Sequence, residues 1–74
     1  MEWKVTFVKI FNNGEVRRAE RTFKDEQDMK RCFDECVQSF EHECRLFGRF
    51  MRHDYRSASG AMENAIYSVL AENV

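Results

Sequence analysis

Five side chains have the chemistry of metal ligands: Cys32, Cys36, His42, Cys44 and His53. A structural zinc site needs four such groups converging tetrahedrally. Cys32 and Cys36, four residues apart, share one face of a helix, and His53 is the group that would have to close around Cys44. The spacing matches no paired Cys-x2-Cys or His-x3-His knuckle. All three cysteines instead fall on an apolar stripe, where a free thiol packs as a small hydrophobe. The expectation is three reduced thiols in a core, with no metal and no cofactor. Cys32 and Cys36 are also a poor disulfide pair, because successive helical turns hold their side chains parallel. For catalysis the available bases are His42, flanked by Glu41 and Glu43, and His53, beside Arg49, Arg52 and Arg56. Neither has a nucleophile at an evident spacing, and no Gly-rich phosphate loop or paired-carboxylate motif is present. The chain reads as a non-enzyme.

Arg45, Arg49, Arg52 and Arg56 are spaced 4, 3 and 4, which on a helix stacks them in one row. Leu46, Phe47, Phe50 and Tyr55 interleave with them. Such a row suits carboxylates on a protein partner, which arginine grips bidentately. It would also suit a phosphate backbone with bases stacked on the rings. The plainer account is electrostatic complement to a helix C-terminus, matched by acids at the N-terminus. Arg45, Arg49, Arg52, Arg56, Phe50 and Tyr55 are therefore the candidate partner-binding residues. Trp3 and Phe11 are secondary candidates, although Trp3 is better suited to pinning the first strand to a helix than to contacting a partner.

The elements that would position these groups follow from periodicity. Trp3, Val5 and Phe7 alternate with Lys4 and Thr6, the period of a strand, although Val8, Ile10 and Phe11 break the alternation. Asn12-Asn13-Gly14 is a hairpin signal, so residues 15–23 return as a second, highly charged strand suited to a sheet edge. Asp25 is the natural N-cap of a helix, with Glu26 and Asp28 in its first turn. From Met29 the apolar residues Cys32, Phe33, Cys36, Val37, Phe40, Cys44, Phe47, Phe50 and Met51 hold a helical phase. This predicts a long helix over about residues 25–55, interrupted by Glu43 on its apolar side and by Gly48. Either it bends near 41–44, or its second half projects toward another subunit. A strand over 44–52 is the third alternative; it mixes arginines and aromatics on both faces, and helix is preferred. Met62, Ala65, Ile66, Val69 and Leu70 then predict a short C-terminal helix over about 60–73. The expected architecture is α+β, order ββαα, as a single domain of residues 1–74: hairpin 2–23, long helix, short helix. Its expected core is Val5, Phe7, Phe33, Val37, Phe40, Ile66 and Leu70.

A chain of 74 residues has room for one small core, of marginal stability. It contains 43% hydrophobic and 14% aromatic residues, which argues for a folded globule over disorder. Formal net charge is −1, so the total does not single out nucleic acid, but its distribution is uneven. Residues 1–24 and 45–56 are each +3, residues 25–44 are −5, and residues 57–74 are −2. Opposed patches of this kind steer association with partners. An export signal and a membrane-length apolar run are both missing from the sequence, which leads to an expectation of a cytoplasmic protein with no membrane partner. The functional expectation is a small protein–protein interaction module, an inhibitor or adaptor of the type that viruses and mobile elements commonly encode as a matter of base rate. Its partner would offer an acidic patch, and a homodimer through Phe47, Phe50 or Met51 is expected. The alternative is a nucleic-acid-binding protein using the Arg45–Arg56 row, with Arg17, Arg18 and Arg21 from the hairpin.

Overall fold

The computed structural model describes residues 2–54 and 56–74, with the side chains of Leu46 and Phe47 outside the description. Five strands and one helix follow in the order ββαβββ: β1 (Trp3–Phe11), β2 (Val16–Phe23), α1 (Glu26–Phe47), β3 (Arg49–Asp54), β4 (Ser57–Ala61) and β5 (Ala65–Asn73). The strands form one sheet in the order β2-β1-β5-β4-β3, antiparallel throughout. The ββαα architecture is therefore corrected: residues 60–73, expected as a second helix, are the end of β4 and the strand β5.

The hairpin turns where its sequence directs. Gly14 sits at φ 92°, a conformation that costs glycine nothing, and its N–H donates to the Phe11 carbonyl. Asn13 Oδ1 accepts from the Glu15 N–H at 2.9 Å, the local bond that makes asparagine a turn residue. β1 does not keep one polar face because it is an interior strand, paired on one side with β2 and on the other with β5. Val8 and Ile10 thus belong to the second face of the sheet and not to a failing strand.

α1 starts as expected. The Asp25 carboxylate accepts from the Gln27 N–H at 2.9 Å, and Glu26 and Asp28 occupy the first turn. Met29, Phe33, Val37, Phe40 and Cys44 face the sheet and are buried, so the helical phase holds this far. It ends at Gly48, whose N–H closes on the Cys44 carbonyl at 2.7 Å. The reason lies in packing as much as in propensity. A Cβ at position 48 would overlap the Ala61 carbonyl oxygen, so only glycine lets the chain turn this tightly against β4.

Beyond Gly48 the helical phase is a coincidence. β3 puts Phe50 and Arg52 on the helix side of the sheet and Arg49 and Met51 on the other, the alternation that made a strand look unattractive in the sequence. In β5 the inward residues are Ala65, Tyr67, Val69 and Ala71. Ile66 and Leu70, expected in the core, are 53% and 41% exposed on the opposite face. The helical set 62, 65, 66, 69, 70 and the strand set 65, 67, 69, 71 share two positions. Pairing of β5 with β1 along nine registered positions selects the second.

The core lies between α1 and the sheet: Val5, Met29, Phe33, Val37, Phe40, Cys44, Ala58, Val69 and Ala71. Phe7, Tyr67 and Phe50 close around Phe40, with Tyr67 stacked on it at 5.2 Å and Phe50 tilted at 5.7 Å. Trp3 packs against this core, as a residue pinning the first strand would. The other face of the sheet carries no helix, so the molecule has two layers.

Candidate functional site

α1 crosses the sheet and leaves most of the helix-side face of β2 uncovered, Phe23 excepted. The side chains of β2 on that face are Arg17, Ala19, Arg21 and Phe23, as its register with β1 dictates. Arg17 lies over the Phe11 ring at 5.4 Å and Arg21 over the Phe23 ring at 5.7 Å. Each guanidinium is thus laid along an aromatic surface. Ala19, between them, has nothing to fill the space above it. The result is a groove of about 410 Å³ between α1 and β2. Val5, Phe7, Phe40 and Tyr67 form its apolar floor and inner wall. Cys32 and Cys36 line the helix side, and Arg21, Glu35, Ser39 and Glu43 stand at the rim. β2 is the last strand on this side of the sheet, so the groove opens beside a strand edge with a neighbour on only one side.

The Cys36 thiol in this groove is a poor nucleophile. Burial pushes the Cys36 thiol above its usual value, and the neighbouring Cys32 pushes it further. Burial does the same to Cys44, with Glu43 adding to it. Thiolate is the reactive form, and burial disfavours it at Cys36 and Cys44. All three cysteines are free, and no cluster of three or more ligating side chains occurs among the described residues.

The arginine row does not form, because the helix that would have carried it ends at Phe47. Arg45, on the last turn of α1, pairs with Glu41 at 2.8 Å and lies over the Phe50 ring at 5.7 Å. Arg52 reaches back from β3 to Asp34 at 3.0 Å and lies over Phe33 at 5.3 Å. Both tie the helix to β3. Arg49 is on the opposite face of the sheet, and Arg56 follows β3, its N–H donating to Asp54 Oδ1 at 2.7 Å. Phe50 is half-buried against Phe40, whereas Tyr55 lies outside the described residues. The five candidates among the described residues are thus dispersed over the end of α1, two faces of the sheet and a connection.

One pairing that spacing did not reveal is His53 Nε2 with Ser59 Oγ, 2.9 Å apart on the face away from the helix. It arises because β3 and β4 are a hairpin, which brings positions six apart in sequence side by side. A base and a hydroxyl in contact are two parts of a nucleophilic centre, and a third group must orient the base. Among the described residues no carboxylate is bonded to His53, and the pair sits on open sheet. His42, the other base considered, is exposed on α1.

No protein family, curated protein or solved structure matches this chain. No helix among the described residues is long and apolar enough to cross a membrane.

Proposed function

We propose that the chain is a protein-interaction module that takes an extended segment of a partner along the outer edge of β2. The observation that carries this reading is the apolar groove opening directly beside that edge. A strand added to a sheet edge gains main-chain hydrogen bonds, and alternate side chains fall on one face, where pockets read them. Here the face offers Arg17, then the gap over Ala19, then Arg21. The complementary segment places an apolar side chain over Ala19 and an acidic side chain on either side of it. The partner is thus acidic, as the arginines of the chain led one to expect, but the arginines concerned are those of the hairpin. Charge on an edge strand discourages indiscriminate pairing, and here it would select the partner.

Peptide display against the immobilised chain tests this. Enriched sequences should alternate acidic and apolar residues, and Ala19→Trp, which fills the groove, or Arg21→Glu should each weaken their binding by about tenfold or more. Far-UV circular dichroism should be unchanged in both variants, since both positions are exposed. Enriched peptides indifferent to both substitutions would refute the reading. So would tight binding of single-stranded nucleic acid with a steep loss of affinity in salt, the signature of phosphate contacts.

A further inference from the structure

Cys32 and Cys36 are the groove residues that binding along the β2 edge leaves unused. Both thiols are free and half-buried, and both line the helix side of the groove. They stand one turn apart on α1, and their side chains are in hydrogen-bond contact with each other. At this spacing on a helix the Cβ atoms are about 5–6 Å apart. A disulfide asks for about 3.5–4.5 Å, so the two sulfurs do not close on each other without distorting the turn. The separation is instead that of two ligands with one atom between them. Across the groove Ala19 presents only a methyl group, which leaves the space above the thiols open. Cys44 is not available as a third ligand. It is fully buried, and its Sγ lies only 2.7 Å from where a Cβ on Gly60 would stand. Among the described residues no third ligating side chain joins the pair.

We infer that Cys32 and Cys36 bind one copper(I) ion between them, as a two-coordinate bis-thiolate inside the groove. Two sulfurs are half of a zinc tetrahedron, so they do not make a structural zinc site. Copper(I) is a soft ion that selects thiolate, and two such ligands satisfy it. Copper(II) prefers a tetragonal set of nitrogen and oxygen donors, which two thiols do not supply. Each S–H gives its proton to water and each sulfur donates an electron pair to the ion. Two protons leave for each ion bound, and the copper keeps its oxidation state. Burial disfavours a bare thiolate at Cys36, and a cation seated between the sulfurs removes that cost, because a coordinated thiol gives up its proton outright. The complex carries one negative charge. Arg21, at the rim, supplies a positive one, and its field favours the charged form of Cys36 against the opposing field of Glu35. The site uses the helix wall of the groove and not the edge of β2, so it holds or fails independently of peptide binding there.

Anaerobic titration of the reduced full chain with copper(I), in competition with a chromophoric copper(I) chelator, tests this. The chain should withdraw one equivalent and develop an ultraviolet thiolate-to-copper charge-transfer band. X-ray absorption at the copper edge should show two sulfur neighbours. Cys32→Ser and Cys36→Ser should each lower the affinity by more than the roughly 10–100-fold that loss of an outer-shell partner costs a metal site. Circular dichroism should show α1 intact in both. Cys44→Ala, which also leaves two thiols, should bind copper as the unsubstituted chain does. Zinc(II) offered in the same way should stay with its indicator. Unchanged affinity in Cys32→Ser or Cys36→Ser, or loss of copper from a folded Cys44→Ala variant, would overturn the inference. So would a copper count other than one per chain, zinc held as tightly as copper, or a copper-bridged pair of chains in sedimentation.

Discussion

Single side chains here are mostly explained by what surrounds them, and Thr6 is the exception. Its hydroxyl is buried on the uncovered face of β1, between Glu20 and Leu70 in register, and has no hydrogen-bond partner among the described residues. A buried hydroxyl without a partner loses its water for nothing. Thr6→Val keeps the shape and the β-branched preference for strand while removing that cost. It should stabilise the fold by about 1 kcal/mol, measured as a rise in the denaturation midpoint at unchanged slope. A fall in the midpoint would mean that the hydroxyl is bonded after all. Gly60 carries the opposite constraint. A Cβ there would come within 2.7 Å of Cys44 Sγ and 2.8 Å of the Arg49 carbonyl oxygen, so the close approach of helix and sheet depends on a missing side chain.

At the scale of elements, the β3–β4 hairpin is the part that acid should loosen first. Asp54 Oδ1 accepts from the Arg56 N–H at 2.7 Å and from the Ser57 hydroxyl at 3.2 Å. The Arg56 bond above all, with the Ser57 contacts, holds the carboxyl below its ordinary 3.8, against the desolvation that would raise it. A carboxylate depressed in the folded state stabilises it above the unfolded value, and that contribution disappears as pH falls through the folded value. Protection of the N–H groups of Arg56 and of Ala71, which donates to the Arg56 carbonyl, measured against the intrinsic exchange rate at each pH, should therefore fall below about pH 4. Asp54→Asn should abolish that pH dependence; an Asn variant that keeps it would place the titrating group elsewhere. In the same hairpin, reversing the charge of Arg52 would disturb the fold as well as any binding surface. Glutamate there would face Asp34 and leave the Phe33 ring uncovered.

For the molecule as a whole, stability rests on one small apolar layer. A chain of this length has on the order of 4–11 kcal/mol in total. Phe40 touches Phe50 and Tyr67 and lies near Phe7, with 3% of its surface exposed. Phe40→Ala should cost about 3–5 kcal/mol, enough to leave a substantial unfolded fraction at 25 °C. Chemical denaturation of the variant checks this, and a loss under about 1 kcal/mol would show that the aromatic cluster is not the keystone.

The local signals were strong where one element could satisfy itself. Asn13-Gly14 sets a turn by backbone preference, Asp25 caps a helix with its own carboxylate, and Met29 to Cys44 form a stripe that any apolar neighbour would bury. Past Gly48 the local pattern supports two answers. Arg49–Met51 and Met62–Leu70 fit a helix as well as a strand, and the choice depends on hydrogen bonds to other strands, of β3 to β4 and of β5 to β1, the latter some sixty residues away in sequence. An interior strand such as β1 needs a second neighbour as well as the hairpin return, and β5 supplies it. The candidate site followed the same division. That arginines would mark it was readable from the sequence, but the row at 45–56 required a continuous helix, and only the packed sheet scattered it and set Arg17 and Arg21 beside an apolar groove. Side-chain type and local hydrogen bonding are properties of the chain; strand pairing, and hence which face each side chain joins, is decided by contacts between distant segments.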